Sequence, residues 1–275
     1  MVTVKEELRM TDAKSGTGKP LVMAPWKGGK ARLAARLIPL FPPHRCYVEP
    51  FGGMASVLLN KPKAETDVYN DRDERLVGLF NTIKYHPDEL DKEMAWLLKS
   101  RQTFDTYREQ TDVTEIQRAA RFLYRQSLGF GGKGESFGTG IKAGGTTLRS
   151  AESLRHVAAR IRERFASVTV EWLDWEQCIE KYDSADTFFY CDPPYHDTEG
   201  YRPAFIERDR EALAAVLRRL RGTFLLHDSD DRVTRQLYRG FHLRTMKTAL
   251  CLGTAAGGST AGGLKHLTVT NYPVK

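Results

Sequence analysis

Asp192 is followed by two prolines and a tyrosine, and it ends an apolar, aromatic-rich run, Phe188-Phe189-Tyr190-Cys191. A carboxylate on a stiff edge beside an aromatic face suits a flat, weakly nucleophilic ring amine. The Asp192 carboxylate and the Pro193 carbonyl can accept the two N–H bonds of such an amine, and Tyr195 can stack on its ring. Holding both N–H bonds draws electron density onto the nitrogen and aims its lone pair. The blander reading of the tetrapeptide is a proline turn with an exposed acid, since short motifs arise by chance.

The elements around it bear on that choice. The apolar run predicts a short buried strand, which the prolines stop because neither can donate to a ladder. Asp192 then falls at the carboxyl end of a strand, where open α/β sheets place ligands. Each proline also narrows the backbone choices of the residue before it. Upstream, Cys46 to Leu59 predicts a strand, a turn at Gly52-Gly53 and a helix. Glycines there let backbone approach a ligand, and a helix N-terminus offers free N–H groups. Two glycines fall short of the dinucleotide pattern G-x-G-x-x-G. Asp67-Val68-Tyr69-Asn70-Asp71 predicts a second strand ending in an acid. Asp71 can bind two vicinal hydroxyls or cap the helix that starts near Glu74; Asp73 can equally supply the cap, so Asp71 reads as a ligand residue. Ahead of all these, Trp26-Lys27-Gly28-Gly29-Lys30 opens onto a helix marked by Leu33, Leu37 and Leu40 and closed by Pro42-Pro43. Trp26 is either a core anchor or a lid on a ligand, with Lys30 on the first helical turn.

The 275 residues, 41% hydrophobic and 28% charged, suffice for one large or two modest domains with a proper core. No apolar run is long enough to span a bilayer, and the first residues lack a secretory h-region. The four cysteines are scattered without a C-x-x-C pair, which argues against a metal site or disulfide framework and for reduced thiols in a cytosol. A net charge of +7 suits a polyanionic partner. Residues 1–20 read as a loose polar arm whose Gly16-Thr17-Gly18-Lys19 lacks phosphate-loop spacing.

Residues 86–165 read as an insertion between two halves of a sheet domain, 21–85 and 166–275. Pro87 to Lys99 predicts an amphipathic helix with Leu90, Met94, Leu97 and Leu98 inward, and Thr114 to Leu128 another, with Arg118, Arg121 and Arg125 as a basic stripe. From Arg118 to Arg164, ten basic residues, Lys133 and Lys142 among them, face three acidic ones. That excess equals the charge of the whole chain and is a footprint of phosphate contact, although a solvated face is the better account of any single arginine. A glycine-dense loop from Gly129 to Gly145 carries Phe130 and Phe137 and is expected to order on a partner. Downstream, strands are expected at Val168–Val170, Thr223–Asp228, Phe241–Leu252 and Leu267–Tyr272, and helices at Arg155–Phe165, Asp174–Ile179, Arg208–Leu220 and Asp231–Tyr238. His196 to Phe205 is expected as a flap, with His196 an exposed loop residue. A second glycine loop, Gly253 to Gly263, is a hairpin tip or a DNA contact.

Taken together and in order, the Trp26–Lys30 segment, Glu49-Pro50-Phe51-Gly52-Gly53, Asp71 ahead of Leu76-Val77-Gly78-Leu79-Phe80, Asp192-Pro193-Pro194-Tyr195 and the closing Leu267–Tyr272 resemble the motifs of the Dam-type (D12 class) DNA adenine-N6 methyltransferases. The resemblance implies a Rossmann-like α/β fold, an inserted, mainly helical DNA-recognition domain and S-adenosylmethionine as cofactor. It implies that Trp26 and Lys30 line the cofactor pocket and that Glu49, Phe51, Gly52 and Gly53 belong to the turn cradling the methionine end. By the same likeness Asp71 holds the ribose hydroxyls, Asp192 lies between cofactor and target amine, and the Arg118-to-Lys142 region reads and wedges double-stranded DNA. Two places depart from the family: Met54-Ala55 stands where a glycine is common at the end of the turn, and the usual Asn-rich wording after Phe122-Leu123-Tyr124-Arg125 is missing. Cofactor binding is expected to survive the first; the second leaves the target sequence open. The expected protein is a cytoplasmic enzyme of a bacterium or phage-infected cell, a monomer or weak dimer without metal. The competing readings are cytosine-N4 methylation, for which Ser before the prolines is commoner, methylation of RNA or protein side chains, where Asn is commoner, and an inactive DNA-binding relative.

Overall fold

The computed structural model describes residues 20–26, 28–95, 97–110, 113–130, 134–138, 151–195, 205–248 and 264–274. The N-terminal arm, most of the expected flap and the Gly253–Gly263 loop lie outside them. Seven strands form one sheet in the order β3-β2-β1-β4-β5-β7-β6: β1 Cys46–Glu49, β2 Thr66–Asn70, β3 Val168–Glu171, β4 Thr187–Cys191, β5 Thr223–Ser229, β6 His242–Thr248 and β7 Leu264–Thr270. The first five run parallel, and β7 inserts antiparallel between β5 and β6. From β1 the chain winds one way through β2 and β3, then returns to place β4 on the other side. The crevice outside the carboxyl ends of β1 and β4 is therefore the switch point at which such sheets bind ligands.

Strand parity divides the interior into two layers. Tyr47, Tyr69, Phe188, Tyr190 and Leu225 face one core. Val48, Val68, Phe189, Cys191, Phe224, Leu226, Leu267 and Val269 face the other. The first face is covered by α1 (Ala31–Leu37), α2 (Glu74–Tyr85), α3 (Pro87–Ala95), α5 (Glu115–Leu128) and α6 (Ala151–Phe165). The second is covered by α7 (Trp175–Tyr182), α8 (Glu207–Arg218) and α9 (Arg232–Leu237). Because side chains alternate, the parity of Tyr47, Tyr190 and Leu225 also sends Glu49, Asp192 and His227 to the first face.

Most expected elements form, with three differences. Pro87 to Lys99 is helical only to Ala95, and Leu98, expected inward, is 80% exposed. A helix without a clear apolar stripe, α4 (Arg101–Glu109), is present where none was expected; Ser100 caps it by accepting from the Thr103 N–H at 3.2 Å. The helix expected after Gly52-Gly53 does not form. Residues 50–61 run through successive turns, because Gly53 and Ala55 both adopt left-handed φ values, 50° and 52°, which a right-handed helix cannot include. Helix α6 is part of the sheet layer: Phe165 stacks on Phe80 with centroids 4.6 Å apart, and Arg164 reaches the buried Asp67, which also holds Lys61 at 2.8 Å.

Candidate active site

The turn after β1 is tied to the end of β2. The Gly52 N–H donates to the Asn70 carbonyl at 2.8 Å, and a Cβ at Gly52 would collide with the Tyr69 ring, so only glycine fits this close approach. The Gly53 N–H donates to Asp71 Oδ2 at 2.8 Å, and the Tyr69 hydroxyl donates to the Gly53 carbonyl at 2.8 Å. Asp71 Oδ1 accepts from the Asp73 N–H at 2.8 Å, while Asp73 caps α2 by accepting from the Arg75 N–H. Asp73 thus takes the cap, as the sequence allowed, and Asp71 is left facing the crevice. Burial raises the Asp71 carboxyl to about 6, against the pull of its backbone donors. Each of its oxygens keeps a further lone pair for a ligand hydroxyl.

Glu49 closes β1 and is almost wholly buried. Burial raises it to about 8, although the Tyr47 hydroxyl donates to its Oε1 at 2.6 Å. Asp192 directly follows the neighbouring strand β4, on the same face, and behaves differently. Burial opposes its charge, yet Lys30 and His227 outweigh that and hold the carboxyl below the usual aspartate range. Lys30 Nζ lies 2.8 Å from Asp192 Oδ1 and donates to the Gly28 carbonyl at 2.7 Å. The approach is poorly aligned, so Asp192 Oδ1 is buried without a proper hydrogen-bond donor. Lys30 occupies the N-cap of α1, where the helix dipole disfavours a cation. Its ammonium also sits 4.8 Å over the Tyr195 ring. Its place is therefore better explained by Asp192 and Tyr195 than by the helix.

Two residues that the sequence reading left without a role complete this end. The Tyr195 hydroxyl is 2.8 Å from His227 Nδ1 and 3.4 Å from His266 Nδ1, and the two imidazoles stack with centroids 4.9 Å apart. His227 Nδ1 is also 3.8 Å from Asp192 Oδ1. Burial lowers the pKa of both rings, His266 to about 4, so both are neutral near pH 7. Polar residues at the end of β5 were the available sign of His227. Nothing local marked His266, which reaches the site only through the β5–β7 register.

One cavity of about 370 Å³ joins these ends, lined by Trp26, Lys30, Glu49, Phe51 to Met54, Asp71, Asp192 to Tyr195 and Phe205 among others. Trp26 packs edge-on against Phe122 of α5, and Phe51 packs with Trp175 and Phe205. All ten residues expected to hold cofactor or target amine thus line one cavity. The residues expected on DNA are more divided. Arg118 is exposed and Phe130 is 62% exposed. Arg121 lies over the Tyr107 ring at 4.8 Å. Arg125 is turned inward: its Nε and Nη2 donate to the Gly134 carbonyl at 3.0 and 2.6 Å. Phe137 packs on Phe104, with centroids 5.6 Å apart, under Arg101. Lys133 and Lys142 lie outside the described residues. No cluster of metal-ligating side chains exists among the described residues, and no helix there is long and apolar enough to cross a membrane.

Known proteins are similar to the chain over most of its length. A DNA adenine methylase of Haemophilus influenzae is 28% identical over 246 residues, covering 81% of this chain and 84% of the relative. The retron Ec67 DNA adenine methylase of Escherichia coli is 26% identical over 255 residues, with 85% and 86% covered. The DNA adenine methylase of Escherichia coli K12 is 25% identical over 257 residues, with 84% and 89% covered. A solved structure of a conserved hypothetical protein of Streptococcus pyogenes aligns over 88% of this chain and 93% of its own with a TM-score of 0.34 and 11% identity, too little to carry an argument. The family model for D12 class N6 adenine-specific DNA methyltransferases matches residues 26–249, from the Trp26 segment past β6, and the chain belongs to that family.

Proposed function

We propose that the protein transfers the methyl group of S-adenosylmethionine to N6 of an adenine turned out of double-stranded DNA, with Asp192, Pro193 and Tyr195 holding the base. The observation that carries this reading is the single cavity that runs from Asp71 and Glu49 to Asp192. Its lining groups suit the cofactor. Asp71 accepts vicinal hydroxyls, and Glu49 faces a positive group. Trp26, Phe51, Gly52 and Gly53 supply apolar walls and close backbone. When bound, S-adenosylmethionine supplies an electrophilic methyl carbon on a sulfonium centre. The chain does the rest. Asp192 Oδ1, buried without an aligned donor, accepts one N–H of the amine, and the Pro193 carbonyl accepts the other. Lys30 yields its place against Asp192 to the amine. Tyr195 stacks on the ring, and the nitrogen, once methylated, gives up one proton to Asp192 or to water. Turning the base out of its stack costs a few kcal/mol. Positioning of this kind can supply up to ~7–11 kcal/mol of the barrier.

Residues 86–165, between α2 and β3, are proposed as the DNA-recognition part, with α6 anchoring it to the sheet layer. Arg118 and Phe130 are the described residues free to meet the duplex, and Lys133 and Lys142 are counted with them. Arg121, Arg125 and Phe137 support that surface from within. The bacterial relatives favour a cytoplasmic site of action, and a monomer is the simplest working form. The test is tritium transfer from labelled cofactor to genomic DNA lacking N6-methyladenine, followed by nucleoside digestion. Label in N6-methyldeoxyadenosine is expected; label in N4-methyldeoxycytidine or in protein overturns the reading.

A further inference from the structure

We propose that His227 and His266 are a positioning pair for methyl transfer, fixing the Tyr195 ring through its hydroxyl; this rests on the adenine-methylation reading above. Tyr195 follows two prolines, so its backbone is stiff and the side-chain torsions are its remaining freedom. The ring is caught at its far end, where the hydroxyl meets His227 Nδ1 at 2.8 Å and His266 Nδ1 at 3.4 Å. A phenol has one proton to donate and lone pairs to accept with. With both rings uncharged, it can donate to one imidazole and accept an N–H from the other, which makes the two rings opposite tautomers. Their surroundings keep them so. Burial disfavours charge on either ring, and the ammonium of Lys30, from the start of α1, repels it more than Asp192, at the end of β4, invites it at His266.

The pair is not placed for stability. His227 is fully buried, and its Nε2 has no hydrogen-bond partner among the described residues, so an apolar side chain of the same shape would suit the core better. The two histidines come from antiparallel strands. His227 is directly opposite Thr268, and His266 is its diagonal neighbour two residues along, within reach of an aromatic ring. The stacked rings, 29° apart in plane, form a floor under the Tyr195 hydroxyl. The Tyr195 ring also lies under the Lys30 ammonium, which touches Asp192. A ring held here has one orientation relative to the carboxylate that receives the amine, which is the geometry stacking on a flipped base requires.

Single-turnover methylation of genomic DNA lacking N6-methyladenine, with labelled S-adenosylmethionine, decides the matter in the full chain. H227L is expected to slow methyl transfer about tenfold to a hundredfold with unchanged cofactor affinity. H227N, whose amide lies where Nδ1 was, restores most of the rate. Y195F slows the reaction comparably, and at pH 8, where the Lys30 ion pair keeps Asp192 ionised without His227, the double variant Y195F/H227L is no slower than Y195F alone, because the histidine acts through the lost hydroxyl. Additive losses, or a wild-type rate in H227L, overturn the proposal. If H227L does not fold, judged by its thermal melt, H266L in the wild-type and Y195F backgrounds makes the same comparison. Wild-type protein that labels no adenine refutes the reading of the enzyme instead of this pair.

Discussion

Glu49 and Asp192 stand at the carboxyl ends of adjacent strands, point to the same face and line the same cavity. Burial pushes Glu49 up to about 8, so near pH 7 it is mostly protonated. Asp192 is buried too, but the Lys30 ammonium at 2.8 Å leads the groups that keep it ionised. An acid whose counter-charge is supplied by the chain is ready to accept hydrogen bonds from a neutral amine. An acid that the chain leaves protonated gains its charge when a cation arrives. On the proposed reading the difference orients the cavity, with the cationic cofactor toward Glu49 and Asp71 and the base toward Asp192 and Tyr195.

The largest expected effect comes from exchanging charge for shape at the base end. D192N keeps the volume and removes the anion. It should lower single-turnover methylation by ~10²–10⁴-fold, the range for a lost proton acceptor, while cofactor affinity changes far less. E49Q should do the opposite, weakening cofactor binding and sparing the rate at saturating cofactor. Calorimetric binding and single-turnover rates for both variants would break the comparison if affinity and rate fell together in each.

Lys30 offers a sharper test. K30M removes the cation that offsets burial at Asp192, so the carboxyl must rise and protonate at higher pH. Methylation needs the anion, so the acid limb of the rate–pH profile moves upward, and the loss at pH 6 exceeds the loss at pH 8. An equal loss at every pH would mean that Lys30 serves binding alone.

At the other end the sign reverses. Below about pH 8 the cofactor-free site holds a proton on Glu49, which an arriving cation must expel. Cofactor affinity should therefore rise with pH up to about 8, by at most about tenfold per unit, with proton release seen as a buffer-dependent binding enthalpy. E49Q should flatten the profile. The folded protein follows the same acid. Its pKa is raised above the unfolded value of 4.5, so the stability it contributes is present at low pH and is lost as pH rises to about 8. The melting temperature of E49Q should gain on wild type across that window.

What the sequence disclosed and what it hid follow one physical division. Asp192, Asp71 and the Gly52-Gly53 turn were legible because prolines, glycines and strand ends constrain their own neighbours. The Asp73 cap was legible because a cap is read within three residues. His227 and His266 were not, since their meeting depends on how β7 registers against β5. Parity alone put His227 on the correct face; register put His266 beside it. Arg125 was expected outward from helical spacing, but the Gly134 carbonyl nine residues on folds back and accepts from its Nε and Nη2. Leu98 followed the apolar pattern into the core, although the chain leaves the helix at Ala95.

The smallest effect concerns the turn that shapes the Glu49 end. Ala55 is buried at a φ of 52°, a region that disfavours an L-residue by about 1–2 kcal/mol. A55G removes that strain. It also loosens the unfolded chain, costing about 0.4–1 kcal/mol, and gives up a buried methyl group worth about 0.8 kcal/mol. The terms nearly cancel, so the variant should melt within a few degrees of wild type with cofactor affinity intact. G53A meets no such balance. It forces a side chain onto a φ of 50° and puts its Cβ 3.1 Å from Trp26 Nε1, so it should lower both melting temperature and cofactor affinity. Thermal melts and binding titrations of the two separate strain from shape. If A55G bound cofactor as poorly as G53A, the alanine methyl would be part of the wall of the Glu49 end, and the turn would owe its form to packing more than to its glycines.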